Sequence, residues 1–458
     1  MPVLSTIGAA AARGFGWLYK AAGGGTAGAL YAWGYNNSGQ LGQGNTTNRS
    51  SPVQVGSLTT WADASISLHA IAAKNDGTLW AWGAGSGGRL GDGTTVSKSS
   101  PVQIGSLTNW STAQAKGFST LALKTDGTLW AWGEGTNGQL GDGTITNKSS
   151  PVQIGTLTSW TKIGYGSSSA VNGHAIRSGG TLWAWGFGNP NQTDSYGTIV
   201  NWPYPTVSQT NYSSPVQVSS SINWSSVATG ENHALALTTG GALYAWGTNL
   251  NGQCGLSTFN NPEYYVWYQI ENQCGGGGSA TYGAFYSTYI GAGSYPSLNN
   301  GGNCEPPIDG VTAIHIEQGA NTRLWGFSSP VQVGADTNWA QVSAGRQFSG
   351  AIKTTGALWM WGFNGNGQLG NADTTSRSSP VQVGALTTWA YVKCGYDHTL
   401  AVKTDGTLWT WGNNNAGALG QNDATARSSP VQIGSATNWL KAIDALDAGT
   451  YASIAIRS

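Results

Sequence analysis

The sequence has little charge, few cysteines and no long apolar run. Charged residues make up 9% of the chain, and 20 Lys plus Arg balance 20 Asp plus Glu, so the formal net charge is zero. A chain with so few charges offers no basic surface to nucleic acid or to an anionic membrane. It also has no stretch of about 18 apolar residues of the kind that spans a bilayer. We therefore expect no nucleic-acid partner and no membrane association.

Four cysteines are too few for disulfide bonds to stabilise a chain of 458 residues, and none has the CxxC spacing of a zinc site. Cys254, Cys274 and Cys304 lie in or beside one segment, which would allow one disulfide there in an oxidising compartment. Cys394 occupies a slot that another repeat fills with Ala344, so we expect it to be a small core residue.

Glycine and tryptophan are abundant, with 70 and 23 residues, and both recur in a repeat of about 50 residues. A Trp-Gly pair occurs at Trp33, Trp82, Trp132, Trp185, Trp246, Trp361 and Trp411. A Ser-Ser-Pro-Val-Gln string follows each pair, with its proline at Pro52, Pro101, Pro151, Pro215, Pro330, Pro380 and Pro430. Five of the seven Trp-to-Pro distances are 19 residues, whereas the fourth is 30 and the fifth is 84. This period is typical of propeller blades.

Each repeat predicts four strands. Two alternating apolar runs joined by Asp-Gly, as at Asp126-Gly127, predict a hairpin whose two turn residues both have positive φ. The Pro-Val-Gln run predicts a third strand that starts at its proline, where no hydrogen-bond donor of the sheet is lost, and the segment after the next tryptophan supplies a fourth. Seven such units predict an all-β, seven-bladed β-propeller over residues 27–458. The final segment, 449–458, lacks a following strand that 27–34 can provide, so we expect the N- and C-terminal strands to pair and close the ring.

The string xGxxHxLALKxDGxLWAWGxNxxGQLGxGT, found at 117–144, 230–253 and 395–420, resembles the RCC1-like repeat, the unit of the regulator of chromosome condensation propeller. The resemblance implies the fold and no single activity, because such propellers serve as exchange factors, ultraviolet receptors, inhibitors and ligase modules. The photoreceptor type carries a Gly-Trp-Arg-His-Thr string where this chain has GFST, GENH, GRQF, GYDH and GTYA. The exchange-factor type is charged and has a basic tail, and both features are absent here. A nucleotide-exchange-factor-like regulator remains an alternative.

The sequence offers no constellation for catalysis, a cofactor or a metal. His69, His174, His233 and His398 recur before or within a strand in different repeats, so we expect buried structural histidines, and His315 lies alone in an insertion. Asp92-Gly93 and Asp142-Gly143 resemble calcium loops at first sight but lack the alternating acidic ligands, which favours turn chemistry. We expect a protein that is not an enzyme.

Two insertions, 187–212 and 257–327, interrupt the same inter-strand loop of the fourth and fifth repeats, so we expect them side by side on one face. Their aromatic residues among Gly, Ser and Asn have the composition of recognition loops for a protein or a glycan. A mini-core that holds the insertions together is the other interpretation. The candidate binding residues are Tyr196, Trp202, Tyr204, Tyr264, Tyr265, Trp267, Tyr268, Tyr282, Tyr286 and Tyr289.

Residues 1–26 precede the propeller. Their STIGAAAARGFGW string and glycine run resemble leaders of tail and appendage proteins of tailed bacteriophages. This resemblance implies an anchoring tail that binds other virion proteins through Phe15, Trp17, Leu18 and Tyr19, although the composition also suits a disordered segment. The leading hypothesis is a virion protein of a phage tail or fibre-like appendage that mediates assembly and attachment to a host-surface glycan or protein. The alternative is an extracellular, secreted bacterial propeller that acts as an inhibitor or adhesin.

Overall fold

The computed structural model describes residues 27–165, 172–186, 212–219, 222–256, 326–440 and 445–458, and the backbone of 268–270 and 282–284. Two compact units are distinguished by their internal contacts: residues Met1–Ser257 with Gly326–Ser458, and residues Thr258–Trp325. The predicted tail, 1–26, and most of both insertions lie outside the described residues. Within the described part of the chain, no helix has the length and apolarity needed to cross a bilayer.

Strands make up nearly all of the regular structure. The first half of the chain contains β1 (Ala29–Gly34), β2 (Arg49–Gln54), β3 (Trp61–Ile66), β4 (His69–Lys74), β5 (Leu79–Gly83), β6 (Lys98–Gln103), β7 (Trp110–Lys116), β8 (Ser119–Lys124), β9 (Leu129–Gly133), β10 (Lys148–Gln153), β11 (Trp160–Tyr165), β12 (Asn172–Arg177), β13 (Leu182–Gly186), β14 (Tyr212–Gln217), β15 (Trp224–Thr229), β16 (His233–Thr238) and β17 (Leu243–Thr248). The second half contains β18 (Tyr268–Ile270), β19 (Tyr282–Ala284), β20 (Gly326–Gln332), β21 (Trp339–Ala344), β22 (Phe348–Lys353), β23 (Leu358–Gly362), β24 (Arg377–Gln382), β25 (Trp389–Cys394), β26 (His398–Lys403), β27 (Leu408–Gly412), β28 (Arg427–Gln432), β29 (Leu446–Ala448) and β30 (Ala452–Arg457). A single 3-10 turn is described, at Ser86–Gly88.

The strands form seven antiparallel sheets of four strands, which confirms the predicted seven-bladed propeller. Blade 1 is β29-β30-β1-β2, blades 2, 3 and 4 are β3 to β6, β7 to β10 and β11 to β14, blade 5 is β15-β16-β17-β20, and blades 6 and 7 are β21 to β24 and β25 to β28. At six of the seven blade junctions the first strands contact one another, including β25 with β29 and β29 with β3, and at the other junction β11 contacts β8. These strands therefore surround the centre of the ring, and the fourth strands form its rim.

The two ends of the chain close the ring in blade 1, as predicted. β1 pairs with β30 in antiparallel register from Ala29 opposite Arg457 to Gly34 opposite Ala452. β30 also pairs with β29. Because β30, the last strand of the chain, lies between β1 and β29 in one sheet, the two ends of the chain leave no unpaired strand edge where they meet.

The hairpin between the second and third strands differs from the predicted turn. In blade 2 the amide of Gly77 donates to the carbonyl of Lys74 (3.0 Å), and only Gly77, with φ 79°, is left-handed, while Asp76 is not. The prediction of positive φ at both residues was wrong because the loop has three residues, a type I turn closed by a left-handed glycine. Asp76 has another role: its carboxylate accepts from the amide and the hydroxyl of Thr78, at 2.9 and 2.7 Å.

The repeated proline also lies elsewhere than predicted. Pro52 is the fourth residue of β2, not its first. The β1–β2 register shifts between Ala32 and Gly34, which pair with Val53 and Arg49, so the proline falls inside an irregular stretch of an edge strand. A bulge on an edge strand needs no hydrogen bond from that position, and proline is tolerated there.

Tryptophan fills the junctions between blades. Trp411 is fully buried, and its indole Nε1 donates to the carbonyl of Gln368 in the preceding blade (2.9 Å). Gly370 has φ 76°, and a Cβ there would lie 2.8 Å from the same Nε1, so only glycine allows this approach. The same indole-to-carbonyl bond joins Trp33 to Ala418 and Trp361 to Gln253. The Trp-Gly and Gly-Gln-Leu-Gly strings are thus the two halves of one inter-blade contact.

Candidate binding surface

One end of the propeller carries the loops that differ most between repeats. In every antiparallel blade, the loop between the first and second strands and the loop between the third and fourth strands lie at the same end of the sheet. Residues 187–211 connect β13 to β14, and residues 249–325 connect β17 to β20, so both insertions leave adjacent blades at this end. The loops between the first and second strands lie at this same end and form the candidate site.

Four of these loops, 230–232, 345–347, 395–397 and 449–451, form a continuous row that we call the axial loop belt. The amide of Glu231 donates to the carbonyl of Arg346 (3.3 Å), and the amide of Arg346 donates to the carbonyl of Gly395 (3.1 Å). The amide of Tyr396 donates to the carbonyl of Gly449 (3.1 Å). Backbone bonds therefore run from blade 5 through blades 6 and 7 to blade 1, which fixes the positions of the side chains between them.

Glycine permits this close spacing at the start of each loop. A Cβ on Gly345 would lie 2.3 Å from the ring of Phe348 and 2.7 Å from the carbonyl of Gly395. The amide of Gly345 donates to the carbonyl of Phe348 (2.8 Å), which closes the turn. The repeated glycine of the xGxxH string is thus a packing requirement of the belt.

Charged and aromatic side chains converge on the belt. The guanidinium of Arg346 lies with Nε 3.2 Å from Glu231 Oε2 and with Nη1 3.9 Å from Asp397 Oδ2. Its Cζ lies 4.4 Å from the centre of the Tyr396 ring. Tyr396 contacts Tyr451, with the ring centroids 5.5 Å apart. Arginine and tyrosine are the residues that dominate binding energy in protein interfaces, so the composition of the belt suits a protein partner.

The belt carries more negative than positive charge, because one arginine faces two carboxylates. Burial raises the pKa of the Asp397 carboxyl, Arg346 opposes this shift, and Glu231 adds to it. Burial also raises the pKa of the Tyr396 phenol. The raised pKa of Asp397 means that Arg346 does not fully compensate the buried carboxylate, so a further cationic or hydrogen-bonding group from a ligand would stabilise its charged form.

The residues predicted from the sequence are mostly outside the described part of the chain. Tyr268 and Tyr282 belong to the short ladder of β18 and β19, in which Tyr268 pairs with Ala284 and Ile270 pairs with Tyr282. The remaining insertion residues, namely Tyr196, Trp202, Tyr204, Tyr264, Tyr265, Trp267, Tyr286 and Tyr289, lie outside it, as do Phe15, Trp17, Leu18 and Tyr19. Their roles, and the adjacency of the two insertions, stay predictions.

The residues of the belt are not among those predicted from the sequence. GENH, GRQF, GYDH and GTYA stand there only as departures from the photoreceptor string. The sequence feature that points to the belt is variability between repeats. In repeats that otherwise differ little, these positions carry Glu231, Arg346, Tyr396, Asp397 and Tyr451. Residues at the same position of successive repeats lie next to each other around the ring. Variation at that position therefore indicates a surface whose composition differs from that of the repeated framework.

The four described histidines are structural, as predicted. His69, His233 and His398 each place Nε2 within 2.7 to 3.0 Å of a hydroxyl in the next blade. His174 does the same through Nδ1, 3.0 Å from Thr229 Oγ1. Burial lowers the pKa of His174 and His398 to about 4 and that of His233 to about 3. These rings are therefore neutral and are spread over different blades.

Acid should weaken the propeller through these histidines, and His398→Phe tests the effect. A base with a lowered folded pKa stabilises the fold fully above its unfolded pKa of 6.5 and loses that contribution as the pH falls toward about 4. We expect each such histidine to cost roughly 1 kcal/mol per pH unit in this window. Phe348 fills the same slot in blade 6, so phenylalanine suits the site. The melting temperature, measured from pH 7 to 5, should fall less steeply in His398→Phe than in the wild type, and equal slopes would contradict the assignment.

The other candidate chemistry has structural explanations. Asp92 Oδ1 accepts from the amide and hydroxyl of Thr94, at 2.9 and 2.8 Å, which confirms turn chemistry in the LGDGT loop. Within the described ranges, no group of three or more His, Cys, Asp or Glu could hold a metal ion. Cys394 is buried in the core, as expected, and Cys254 is a buried free thiol. The suggested disulfide therefore does not include Cys254, while Cys274 and Cys304 lie outside the described residues.

Comparison with known proteins identifies the repeat. The profile of the regulator of chromosome condensation (RCC1) repeat matches residues 27–67, 76–123, 126–171, 355–402 and 405–456. A second profile of the same repeat matches residues 224–253, 339–368 and 389–418. A Dictyostelium discoideum bifunctional serine/threonine-protein kinase/NEDD4-like E3 ubiquitin-protein ligase is 28% identical over 156 residues. This match covers 31% of the present chain and only 8% of that relative.

Solved structures show the same fold. Prp20p of Saccharomyces cerevisiae, described with its binding properties to Gsp1p and histones, gives a TM-score of 0.68 at 17% identity and covers 96% of this chain and 94% of its own. Human WBSCR16 gives a TM-score of 0.65 at 15% identity and covers 94% of this chain and 98% of its own. At these identities the likeness concerns the fold alone.

Proposed function

Because the chain belongs to the RCC1 repeat family, we propose that it is a non-enzymatic propeller that binds a protein partner through the axial loop belt. An RCC1-like propeller fits a binding or regulatory role. The observation that carries the proposal is the position of Arg346, which lies between Glu231 and Asp397 with its guanidinium carbon over the ring of Tyr396.

The belt is preorganised for binding. Its loops are joined by backbone hydrogen bonds, so little conformational entropy remains to be lost when a partner docks. Tyr451 is 37% exposed and Arg346 has a side chain that is 33% exposed, so both aromatic and cationic contact area is available. The excess of carboxylates over cations in the belt favours a partner surface that presents Lys or Arg beside apolar residues.

The finer proposal is that this chain is a structural and binding component of a phage virion, in the tail or a fibre-like appendage. The support comes from the sequence: the leader in 1–26, the neutral composition, and Tyr-rich insertions on adjacent blades. In this proposal residues 1–26 bind other virion proteins, and the insertions contact a host-surface glycan or protein. The axial loop belt lies at the end of the propeller from which the insertions leave.

Mass spectrometry of purified phage particles tests this placement. We expect to find peptides of this chain in the particle fraction at a constant ratio to known tail proteins, through density-gradient and detergent washes. A chain found instead in the cell-free medium with a cleaved N-terminus would contradict the virion role and favour the secreted propeller. A disulfide between Cys274 and Cys304 in that material would add to the second interpretation.

A further inference from the structure

In six blades a cation lies over two aromatic rings at the end of the propeller opposite the axial loop belt. In blade 3 the ammonium of Lys124 lies 3.6 Å from the ring centre of Trp130 and 4.8 Å from that of Trp110. The two rings meet edge to face, 6.0 Å apart at 75°. The equivalent cations, each at the end of the second strand, are Lys74, Lys124, Arg177, Lys353, Lys403 and Arg457. We call each such pair of edge-to-face rings an aromatic corner. In these six blades the aromatic corner holds a cation.

Blade 5 has the aromatic corner without the cation. Trp224 and Tyr244 meet edge to face with centroids 5.3 Å apart at 82°. Thr238 pairs with Trp224 in the register in which Lys124 pairs with Trp110. The hydroxyl of Thr238 accepts from the amide of Ala242 (3.1 Å), and the short side chain cannot extend over the rings as lysine does. Within the described residues, no cation is placed over this corner.

The acidic neighbour of the cation is missing as well. In blades 3 and 7 the turn beside the lysine carries Asp126 and Asp405, and in blade 6 Lys353 forms a 2.6 Å ion pair with Asp336. In blade 5 the turn is Gly240-Gly241. Blade 5 therefore lacks both the cation at the end of the second strand and the aspartate of the turn, which leaves a pair of aromatic rings with no charged side chain of its own.

A cleft of about 400 Å³ lies at the junction of blades 4 and 5, and of the two rings only Trp224 lines it. Trp224 belongs to the core of this junction, with Ile176 and Leu182 of blade 4. The residues that line the cleft are Thr161, Lys162, Ile176, Arg177, Ser178, Gly179, Gly180, Asn223, Trp224, Ser225 and Thr239. No carboxylate is among them, and a Cβ on Gly179 would meet no atom within 4 Å, so the rim is open.

We propose that the Trp224–Tyr244 corner, with Thr238 at its side, binds the guanidinium group of an arginine from a partner protein. The six sister corners show that the geometry accommodates a cation. Neither the turn at Gly240-Gly241 nor the cleft beside Trp224 supplies a carboxylate, and a strongly hydrated ammonium needs one to replace its water. A guanidinium is planar and weakly hydrated and stacks on an aromatic face without an acidic partner. This proposed binding site lies at the opposite end of the blades from the axial loop belt and does not depend on the proposed function.

Titration of the full chain with small probes tests this proposed arginine-binding site. The protein carries 13C-labelled tyrosine rings, and the Tyr244 signal is assigned with Tyr244→Phe. The probes are N-acetyl-arginine amide, its neutral isostere N-acetyl-citrulline amide, and N-acetyl-lysine amide. We expect a saturable shift of the Tyr244 signal with the arginine probe, at an apparent affinity roughly three- to thirtyfold above that of citrulline.

Two substitutions at one position separate charge from shape. Thr238→Lys supplies the cation that sister blades carry and should abolish the response to arginine, while Thr238→Val keeps the size of threonine and should retain it. Both variants should fold, because lysine occupies this place in blades 2, 3, 6 and 7, and their melting temperatures check this. Equal shifts with arginine and citrulline, or an unchanged response in Thr238→Lys, would overturn the proposal. Tighter binding of the lysine probe would overturn the choice of guanidinium.

Discussion

A chain that ends at Gly449 is expected to lose its cooperative unfolding transition. The truncation removes β30, which pairs with both β1 and β29 in blade 1. Ile454 and Ile456 are fully buried, and each contributes about 1.5–3 kcal/mol of burial free energy. Together the two side chains contribute about 3–6 kcal/mol, and with the hydrogen bonds of one strand of the closing sheet this loss is comparable with the 5–15 kcal/mol that typically stabilises a domain. Circular dichroism during heating should show a broad change where the full chain shows a sharp one.

Deletion of residues 1–26 is the matched control, since it leaves β1 intact. We expect its melting temperature to stay within a few degrees of that of the full chain. A synthetic peptide of residues 449–458, added to the truncated protein, should restore the transition by supplying the missing strand. A truncated protein that melts sharply near the full-length temperature would show that the terminal pairing is not what closes the ring.

The second large effect concerns the axial loop belt. We expect Arg346→Gln with Tyr396→Ser to weaken partner binding on the order of a hundredfold, because both residues are of the type that forms interface hot spots. Arg346→Gln alone should cost on the order of tenfold, since its one-third-exposed ion pairs are screened by water. The partner is identified by photo-cross-linking from position 451, and its affinity for each variant is measured by calorimetry.

Arg377→Gln is the control for this experiment. Arg377 lies in the same blade, has a side chain that is 27% exposed and pairs with Asp373 at 2.5 Å, so it matches Arg346 in exposure and pairing but lies outside the belt. Its substitution should leave partner affinity unchanged. Equal losses in the two variants would mean that charge at this end of the propeller matters in general and that the belt has no special role.

Much of the fold could be predicted from the sequence because the repeat is nearly exact. Trp411 and four of its counterparts, Trp33, Trp82, Trp185 and Trp361, make the same indole-to-carbonyl bond to the preceding blade. The sevenfold periodicity of the Trp-Gly pair fixes the number of blades and the pairing of the ends. Details governed by local backbone geometry were less accessible. The Asp-Gly pair serves two kinds of turn, and the proline of the fourth strand falls in a bulge that only the register of its neighbour reveals.

The candidate site could not be predicted in the same way. Glu231 and Asp397 are separated by a long stretch of sequence and meet only because Arg346 of the blade between them reaches both. No local pattern encodes this contact. The aromatic corner without a cation in blade 5 could have been predicted from the sequence, because Thr238 stands where sister repeats have a cation. That this position is a candidate binding site follows only from the aromatic rings that surround it in the structure.

The pairing of Ala29 with Arg457 has a consequence for the protein's design. β1 begins beside the residue at which β30 ends, so a short linker could join Arg457 to Ala29 and new ends could be opened at an exposed inter-strand turn, such as the one at Gly179. Synthesis could then start at a different blade, while the blades keep their order around the ring. Circular permutation would allow the propeller to be tethered from a different blade, and so to present either of its ends to a chosen target.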